Sequence, residues 1–309
     1  MKKCAFVIPI FIKTECPERL TFFKQTIDSI YGQTCDDWLM ILVDDNSQNS
    51  ELDAYVDSII RENGEKVIYK KNPRNYGAGE SRNIGIALAD EAGVDVVMFL
   101  DSDDVAHPRR VELTKDSFEN KDIDVLYSYF IPIDECTKEL PAEKFPHNIQ
   151  FILENDKHAL VGDDIWKKLI SEKVYVNLTS STSVRTDLAK TVPFPSIRSS
   201  EDLYVWMMYS AVGGKYDYTD EIPSKYRMPQ KMPGRSLSTC YGEVNMNRDF
   251  ADAYVSAIGD CINAALSRGA IQEDEVQPLM VKAYHNVLNE LEIAGMDELL
   301  VEYSDKLLQ

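Results

Sequence analysis

The chain has 309 residues, of which 44% are hydrophobic and 28% charged, the composition of a globular protein that can bury a full core. Its 33 basic residues against 52 acidic ones leave a net charge of −19, which argues against nucleic acid as a partner, because such binding neutralises phosphates with Lys and Arg. No apolar run approaches the roughly 18 residues of a membrane span, and the six cysteines lack metal-site spacing. We therefore expect a cytoplasmic protein without an integral membrane segment.

The first 130 residues alternate β-branched apolar runs with amphipathic stretches, a pattern typical of a parallel sheet flanked by helices. It predicts strands at 4–12, 38–44, 66–70, 94–100 and 123–129. A helix follows each of the first three strands. The first begins at Pro17 and stops at Gly32, and the others cover 51–62 and 79–91.

The pattern is less regular from residue 130 onward. It predicts a loop or hairpin at 131–147, a helix at 157–172, strands at 173–178 and 215–218, a helix at 201–212, and a loop or linker from Pro223 to Pro233. Three more helices follow at 248–267, 273–294 and 296–308. We place a boundary near 235–245, which separates an α/β domain, 1–240, from a helical C-terminal extension, 241–309.

The extension is strongly acidic. Its four basic residues against thirteen acidic ones give a net charge of −9, the wrong sign for attachment to an anionic bilayer surface. Its apolar residues follow helical spacing, so we expect it to pack against the α/β domain, a second copy of the chain as a homo-oligomer, or the acceptor substrate.

Carboxylates collect where the second and fourth predicted strands end. The second strand runs into Asp44 and Asp45, and the fourth into residues 101–104, Asp-Ser-Asp-Asp. In an open parallel sheet, ligands bind beyond the carboxyl ends of the strands. Turn formation explains either cluster alone. Three carboxylates within four residues instead indicate a divalent cation with oxygen ligands, Mg²⁺ or Mn²⁺.

The third predicted strand leads into a loop with Gly77 and Gly79, and then into a helix that carries Arg82. The glycines allow close backbone approach, and the helix start could face an anion. Neither GxGxxG nor a P-loop occurs, so a dinucleotide or P-loop site is not predicted. Arg82 is predicted at the same edge as the carboxylates, where it could pair with a carboxylate, a diphosphate or both; a solvated surface arginine is the alternative.

Taken in order, these segments resemble the family 2 glycosyltransferases with the GT-A fold. The resemblance rests on Ile8-Pro9, Val43-Asp44-Asp45-Asn46-Ser47, Asn75-Tyr76-Gly77 with Ser81-Arg82-Asn83, and Leu100-Asp101-Ser102-Asp103-Asp104. It covers residues 4–130 strongly and 175–240 more weakly. For residues 1–240 it implies a GT-A catalytic domain, a Rossmann-like α/β fold with a mixed, mostly parallel sheet and flanking helices.

The resemblance also implies roles in binding a nucleotide-sugar donor. The backbone near Pro9 and the side chain of Asp45 would hold the base of the nucleotide. Asn75 and Arg82 would line the nucleotide and diphosphate pocket.

A second set of implied roles concerns the metal. Asp101-Ser102-Asp103 would form a DxD motif, in which Asp103 would contact the ribose or the sugar. Asp104 would reach the Mn²⁺ or Mg²⁺ that bridges the two phosphates. Which of Asp101, Asp103 and Asp104 contacts the metal directly stays open.

Asp202 is the candidate general base, because Glu201-Asp202 matches an acidic pair of the family at the start of a helix. Asp202 would deprotonate the acceptor hydroxyl as it attacks. The alternative is structural: Ser200 would cap the helix, and the helix dipole would favour acids in the first turn. Downstream, Arg227 and Arg235 could close over the diphosphate as a lid or remain solvated loop charges.

We therefore predict a metal-dependent, inverting glycosyltransferase that moves a sugar from a nucleotide-diphosphate donor, expected to be a UDP-sugar, to a hydroxyl of a glycan or other acceptor. By analogy the product would be a polysaccharide. One alternative is a sugar-phosphate nucleotidyltransferase, although the glycine-rich basic loop of those enzymes is replaced here by Ile10-Phe11-Ile12-Lys13. The other is a non-catalytic nucleotide-sugar-binding module, which leaves Glu201-Asp202 without a role.

Overall fold

The computed structural model describes residues 2–145, 147–155, 159–172, 177–230 and 242–307. One sheet in these ranges contains β1 (Cys4–Ile10), β2 (Trp38–Asp44), β3 (Val67–Lys71), β4 (Val96–Phe99), β5 (Val125–Ile133), β6 (Thr182–Arg185) and β7 (Tyr216–Arg227). The strand order is β3-β2-β1-β4-β6-β5-β7. Every neighbouring pair is parallel except those of β6, which runs antiparallel to both β4 and β5.

The helices flank this sheet and fill the C-terminal part. They are α1 (Pro17–Tyr31), α2 (Ser50–Asn63), α3 (Ala78–Glu91), α4 (Arg110–Asn120), α5 (His147–Asn155), α6 (Trp166–Ser171), α7 (Thr186–Thr191), α8 (Glu201–Ala211), α9 (Glu243–Ser267), α10 (Glu273–Ile293) and α11 (Asp297–Leu307). Local sequence explains several starts: α1 has Pro17 in its first turn, and Asn49 caps α2 through the backbone N–H groups of Glu51 and Leu52. Across the described ranges, no helix has both the length and the apolar character needed to cross a bilayer.

The first five predicted strands and first three predicted helices are confirmed, with shifts of a few residues at their ends. The prediction is less accurate beyond residue 130. The expected loop at 131–147 begins as the end of β5, and the helix expected at 157–172 is confirmed only as α6. The strand expected at 173–178 falls mainly on 173–176, outside the described residues, and residues 177 and 178 lie in no strand.

The loop predicted from Pro223 was also wrong in its first part. β7 continues through Pro223 to Arg227 and pairs with β5. Because β7 is an edge strand, a residue without a backbone N–H is tolerated there. The rest of that predicted loop, from residue 231, lies outside the described residues.

The extension shares a hydrophobic core with the sheet. Alternate residues of β1 point into two clusters: Phe6 and Ile8 lie in one, and Ala5 and Val7 in the other. The second cluster continues through α8 into α9, α10 and α11. On α8, the Tyr204 hydroxyl donates to Asp260 Oδ2 of α9 at 2.9 Å. The extension therefore packs against the α/β domain, the first of the three partners expected for it.

Candidate active site

The loops that follow β2 and β4 lie on either side of the end of β1. β1 pairs with both strands, so the carboxyl ends of the three strands form one edge, called the rim below. Pro9 lies here in register with Val43, and the next residue, Ile10, accepts a hydrogen bond from the Asp45 backbone N–H at 2.7 Å. The fold thus brings Pro9 and Asp45 to the same edge.

Asp44 supports the rim from inside the fold. It is fully buried and accepts hydrogen bonds from the Ser47 backbone N–H at 2.7 Å and the Tyr69 hydroxyl at 3.1 Å. Its Oδ2 also lies 3.3 Å from Nζ of Lys71. These contacts make Asp44 a structural residue. The candidate cation ligands that remain are the carboxylates after β4.

Asp45 shapes the loop that follows β3. Its Oδ1 accepts from the Asn72 side chain at 3.0 Å and the Tyr76 N–H at 2.8 Å, and its Oδ2 accepts from the Gly77 N–H at 2.8 Å. Gly77 has a φ of +96°, which favours glycine. The Asn75 side chain donates to the Asp45 carbonyl at 3.3 Å. Asp45 and Asn75 therefore lie together, and Oδ2 has capacity for a second hydrogen bond.

The Asp104 carboxylate is buried, and its two oxygens differ in their hydrogen bonding. Its Oδ1 accepts from the Arg227 backbone N–H at 2.8 Å, whereas its Oδ2 has no hydrogen-bond partner among the described residues. Burial raises the pKa of Asp104 well above its ordinary value, and the negative charges of Asp103 and Asp101 raise it further. The Ser180 hydroxyl lies near enough to oppose this rise, without a hydrogen bond to Oδ2.

These carboxylates fit a hard divalent cation. Burial also raises the pKa of Asp103, as does the charge of Asp101, so ionising the whole cluster is costly unless a cation offsets its charge. In the part of the chain that the structure describes, no three His, Cys, Asp or Glu side chains form a ready-made metal cluster. Mg²⁺ and Mn²⁺ often combine one or two carboxylates with substrate phosphates. The residues present suit a cation shared with phosphates, for which Asp104 and Asp103 are the candidate ligands.

The Arg82 side chain is buried, and its guanidinium pairs with two carboxylates. Its side chain is 5% exposed, with Nη2 donating to Asp101 Oδ1 at 2.7 Å and Nη1 to Glu201 Oε1 at 2.6 Å. Burial acts against the guanidinium charge, but the two carboxylates outweigh it and raise the pKa of Arg82. Of the alternatives predicted for Arg82, the structure shows carboxylate pairing.

Asp202 lies in the first turn of α8, partly exposed. Its Oδ2 accepts from the Thr179 hydroxyl at 2.8 Å, and its Oδ1 from the Leu203 N–H at 2.9 Å. Ser200 occupies the N-cap position with a φ of +63°, but its side chain makes no capping hydrogen bond. The structural explanation for Glu201 and Asp202 is weakened, because the capping bond it requires is absent at this described helix start.

Tyr226 lies within electrostatic range of both the carboxylates after β4 and the candidate base on α8. Its ring packs edge-on against Phe130, with centroids 5.6 Å apart. Burial raises the pKa of its hydroxyl, and the charges of Asp104 and Asp202 both add to that rise. The carboxylates after β4 and the candidate base on α8 therefore act electrostatically on one hydroxyl group.

The prediction that Arg227 is a lid residue or a solvated charge was wrong. Arg227 is buried at the end of β7, where its Nε donates to the Asp103 carbonyl at 2.7 Å and its Nη2 to Gln25 at 2.7 Å. Its guanidinium also lies 4.4 Å from the centre of the Phe22 ring. It thus anchors the loop after β4. Arg235, the other candidate in that stretch, lies outside the described residues.

Arg110 was not predicted from the sequence, yet it supports the segments that form the rim. It is 1% exposed and donates to the carbonyls of Phe99 at 2.8 Å and Thr182 at 3.0 Å, and to that of Ser180. Burial lowers its pKa to about 9, so the guanidinium remains charged at neutral pH. The sequence does not distinguish Arg110 from the adjacent Arg109. In the fold, Arg109 is exposed and pairs with surface carboxylates.

The known proteins most relevant to this chain are glycosyltransferases. Residues 6–173, more than half of the chain, match the profile of Glycosyl transferase family 2. An uncharacterized glycosyltransferase of Methanocaldococcus jannaschii, MJ1057, is 30% identical over 220 residues, which cover 70% of this chain and 68% of the relative. Glycosyltransferase GlyG of Streptococcus pneumoniae is 22% identical over 291 residues, which cover 90% of this chain and 88% of GlyG.

Solved structures show the same fold at low sequence identity. TarS residues 1–349 of S. aureus, in complex with UDP-GlcNAc, have a TM-score of 0.59 at 16% identity, with 93% of this chain and 81% of that one covered. The chain spans 44% of the longer TarS chain that it also matches. Mannosyltransferase PcManGT of Pyrobaculum calidifontis, in complex with GDP-Man and Mn²⁺, has a TM-score of 0.55 at 12% identity over 99% of this chain and 87% of that one. The fold is the GT-A fold, and the chain belongs to glycosyltransferase family 2.

Proposed function

We propose that this protein is a metal-dependent, inverting glycosyltransferase that transfers a sugar from a nucleoside-diphosphate donor to a hydroxyl of a glycan or other acceptor. UDP is the proposed nucleotide, since Asp45 and Asn75 lie together at the predicted base site and TarS, which shares the fold, was solved with UDP-GlcNAc. We also propose that it acts in the cytoplasm, where free thiols such as Cys16, Cys35 and Cys136 persist.

The observation that carries the proposal is the ion bridge across the rim. Arg82 joins Asp101, in the loop after β4, to Glu201, at the start of α8. This bridge supports the proposal because the proposed cation ligand Asp104 follows Asp101 by three residues and the proposed base Asp202 is adjacent to Glu201. An enzyme that breaks a bond to a diphosphate and deprotonates an attacking hydroxyl needs these two groups on the same substrate.

The proposed donor pocket uses the end of β1 and the loop after β3. The backbone near Pro9 and the remaining acceptor capacity of Asp45 Oδ2 suit a nucleobase, which presents N–H groups and carbonyls in one plane. Asn75 completes this side of the pocket, and Asp103 would contact the ribose or the sugar.

Negative charge that develops on the leaving diphosphate must be offset. A bound Mn²⁺ or Mg²⁺, held by Asp104 with Asp103, would supply that positive charge. The Arg82 charge is already paired with the carboxylates of Asp101 and Glu201, which hold the guanidinium in one orientation. We propose that Arg82 lines the diphosphate pocket and holds Asp101 and Glu201 in place around it.

Asp202 completes the proposed chemistry as a general base. The acceptor oxygen forms a bond to the anomeric carbon while the bond to the donor phosphate oxygen breaks, and the acceptor proton moves to the Asp202 carboxylate. The Thr179 hydroxyl orients that carboxylate by donating a hydrogen bond to its Oδ2. A single displacement of this kind inverts the anomeric configuration.

A donor screen without acceptor tests the proposal. We would measure nucleoside diphosphate released from UDP-GlcNAc, UDP-glucose, UDP-galactose and GDP-mannose, each with Mn²⁺, with Mg²⁺ or with a chelator. We expect slow hydrolysis of one or more UDP-sugars that stops in the chelator. Hydrolysis of GDP-mannose alone would contradict the proposed nucleotide, and failure to bind or hydrolyse any donor would contradict the function itself.

A further inference from the structure

The first turns of α3 contact the segment that leads into α8, residues 194–200, at several points. Asn83 binds both polar groups of the same backbone residue: its Nδ2 donates to the Phe194 carbonyl at 3.0 Å, and its Oδ1 accepts from the Phe194 N–H at 2.8 Å. The Glu80 carboxylate, one turn earlier on α3, accepts a second bond from Nδ2 at 3.1 Å. Asn83 therefore fixes both the position and the orientation of this peptide.

Gly79 allows the two segments to approach closely. A Cβ atom at this position would lie 3.1 Å from the Pro195 carbonyl oxygen, 3.2 Å from Phe194 Cβ and 3.2 Å from Glu201 Cγ. Contacts this short are tighter than ordinary van der Waals contact, so a side chain at this position would require the neighbouring segment to shift by a few tenths of an ångström. The segment before α8 is therefore packed directly on the backbone of α3.

The Arg82–Glu201 pair extends this contact to the start of α8. The Arg82 guanidinium also lies 5.4 Å from the centre of the Phe194 ring, so one side chain touches both ends of the segment. The start of α8 itself lacks the usual local support, because Ser200 has a left-handed φ and makes no side-chain capping bond.

We infer that Asn83 and Glu201 are positioning residues that hold Asp202 at a fixed position relative to the loop after β4. Asn83 anchors the front of the segment, and Glu201 anchors its end through Arg82, which is itself tied to Asp101. Asp202, next to Glu201, then has its orientation fixed from one side by α3 and from the other by Thr179. This inference rests on the proposed role of Asp202 as the base.

The test uses the full chain with Asn83→Asp and Glu201→Gln. N83D keeps the size of the side chain but replaces the donor to the Phe194 carbonyl with a carboxylate oxygen; E201Q removes the charge that pairs with Arg82. Asp90→Asn is the matched control, because Asp90 lies on the same helix in an exposed ion pair with Lys190 at 2.8 Å. If N83D does not fold, as thermal unfolding would show, E201Q carries the test.

Two measurements decide the inference. We expect amide hydrogen exchange in residues 194–202 to be about fivefold faster in both variants than in the wild type or D90N. For UDP-GlcNAc hydrolysis with Mn²⁺, we expect kcat to fall by about 10- to 100-fold while KM stays within about twofold, because misplacing a catalytic group affects turnover more than donor affinity.

Unchanged hydrogen exchange in residues 194–202 would overturn the inference. A rise in KM with kcat unchanged would also overturn it and would indicate that these side chains bind donor directly. The exchange measurement needs no turnover. If the wild type hydrolyses no donor, the proposed function fails while the exchange data still decide whether α3 holds this segment.

Discussion

Asp202→Asn is expected to lower kcat for donor turnover by about 10²–10⁴-fold, the usual contribution of a positioned general base. The amide is close in size to the carboxylate and can still accept the Thr179 hydrogen bond, so the local structure should persist. Affinity for UDP should stay within about twofold, because Asp202 acts on the attacking hydroxyl. Single-turnover kinetics and calorimetric titration with UDP would measure these two quantities separately.

A control separates catalysis from an effect of charge at a helix start. Asp187→Asn removes an exposed carboxylate from the first turn of α7. D202N removes a partly exposed carboxylate from the first turn of α8. We expect it to cost about 0.3–1 kcal/mol of stability and to leave kcat unchanged. Substantial turnover in D202N, or equal losses in both variants, would exclude Asp202 as the base.

Arg110→Met should lower the free energy of unfolding by about 3–5 kcal/mol, because it leaves several buried carbonyls without donors. Those carbonyls belong to Phe99, Ser180 and Thr182, so three chain segments lose their common support. Denaturant unfolding monitored by fluorescence measures the change.

The adjacent arginine provides a matched control for this prediction. Arg109 pairs with Glu112 at 3.0 Å, and its side chain is 43% exposed. Arg109→Met should therefore cost no more than about 1 kcal/mol. Equal losses for R109M and R110M would show that the buried hydrogen bonds of Arg110 contribute little.

Sequence patterns were sufficient for the first half of the fold because most of its strands are buried on both faces and separated by amphipathic helices. β1 and β2 are almost continuously apolar, and β2 ends at Asp44. β6 is a four-residue strand, Thr-Ser-Val-Arg, which has too few apolar residues to be recognised. β7 contains Pro223, which normally marks a loop and is accommodated here because the strand lies at the sheet edge.

At the site, the sequence identified which residues gather at the rim but not how each is used. Asp44 and Asp45 are adjacent, yet hydrogen bonds to Ser47 and Tyr69 commit Asp44 to the fold, while Asp45 organises the loop after β3. Arg110 differs from Arg109 only in burial, which depends on how α4 packs. Such distinctions come from tertiary contacts between residues far apart in the chain.

Calorimetric titration of UDP with and without Mn²⁺ tests the central claim most directly, that the rim binds a nucleoside diphosphate together with a divalent cation. We expect UDP to bind the wild type at least about tenfold more tightly with Mn²⁺ than in a chelator. Asp104→Asn, which removes the negative charge of this carboxylate, should abolish that gain. An affinity that is the same with and without Mn²⁺, or a gain that D104N preserves in full, would contradict the account.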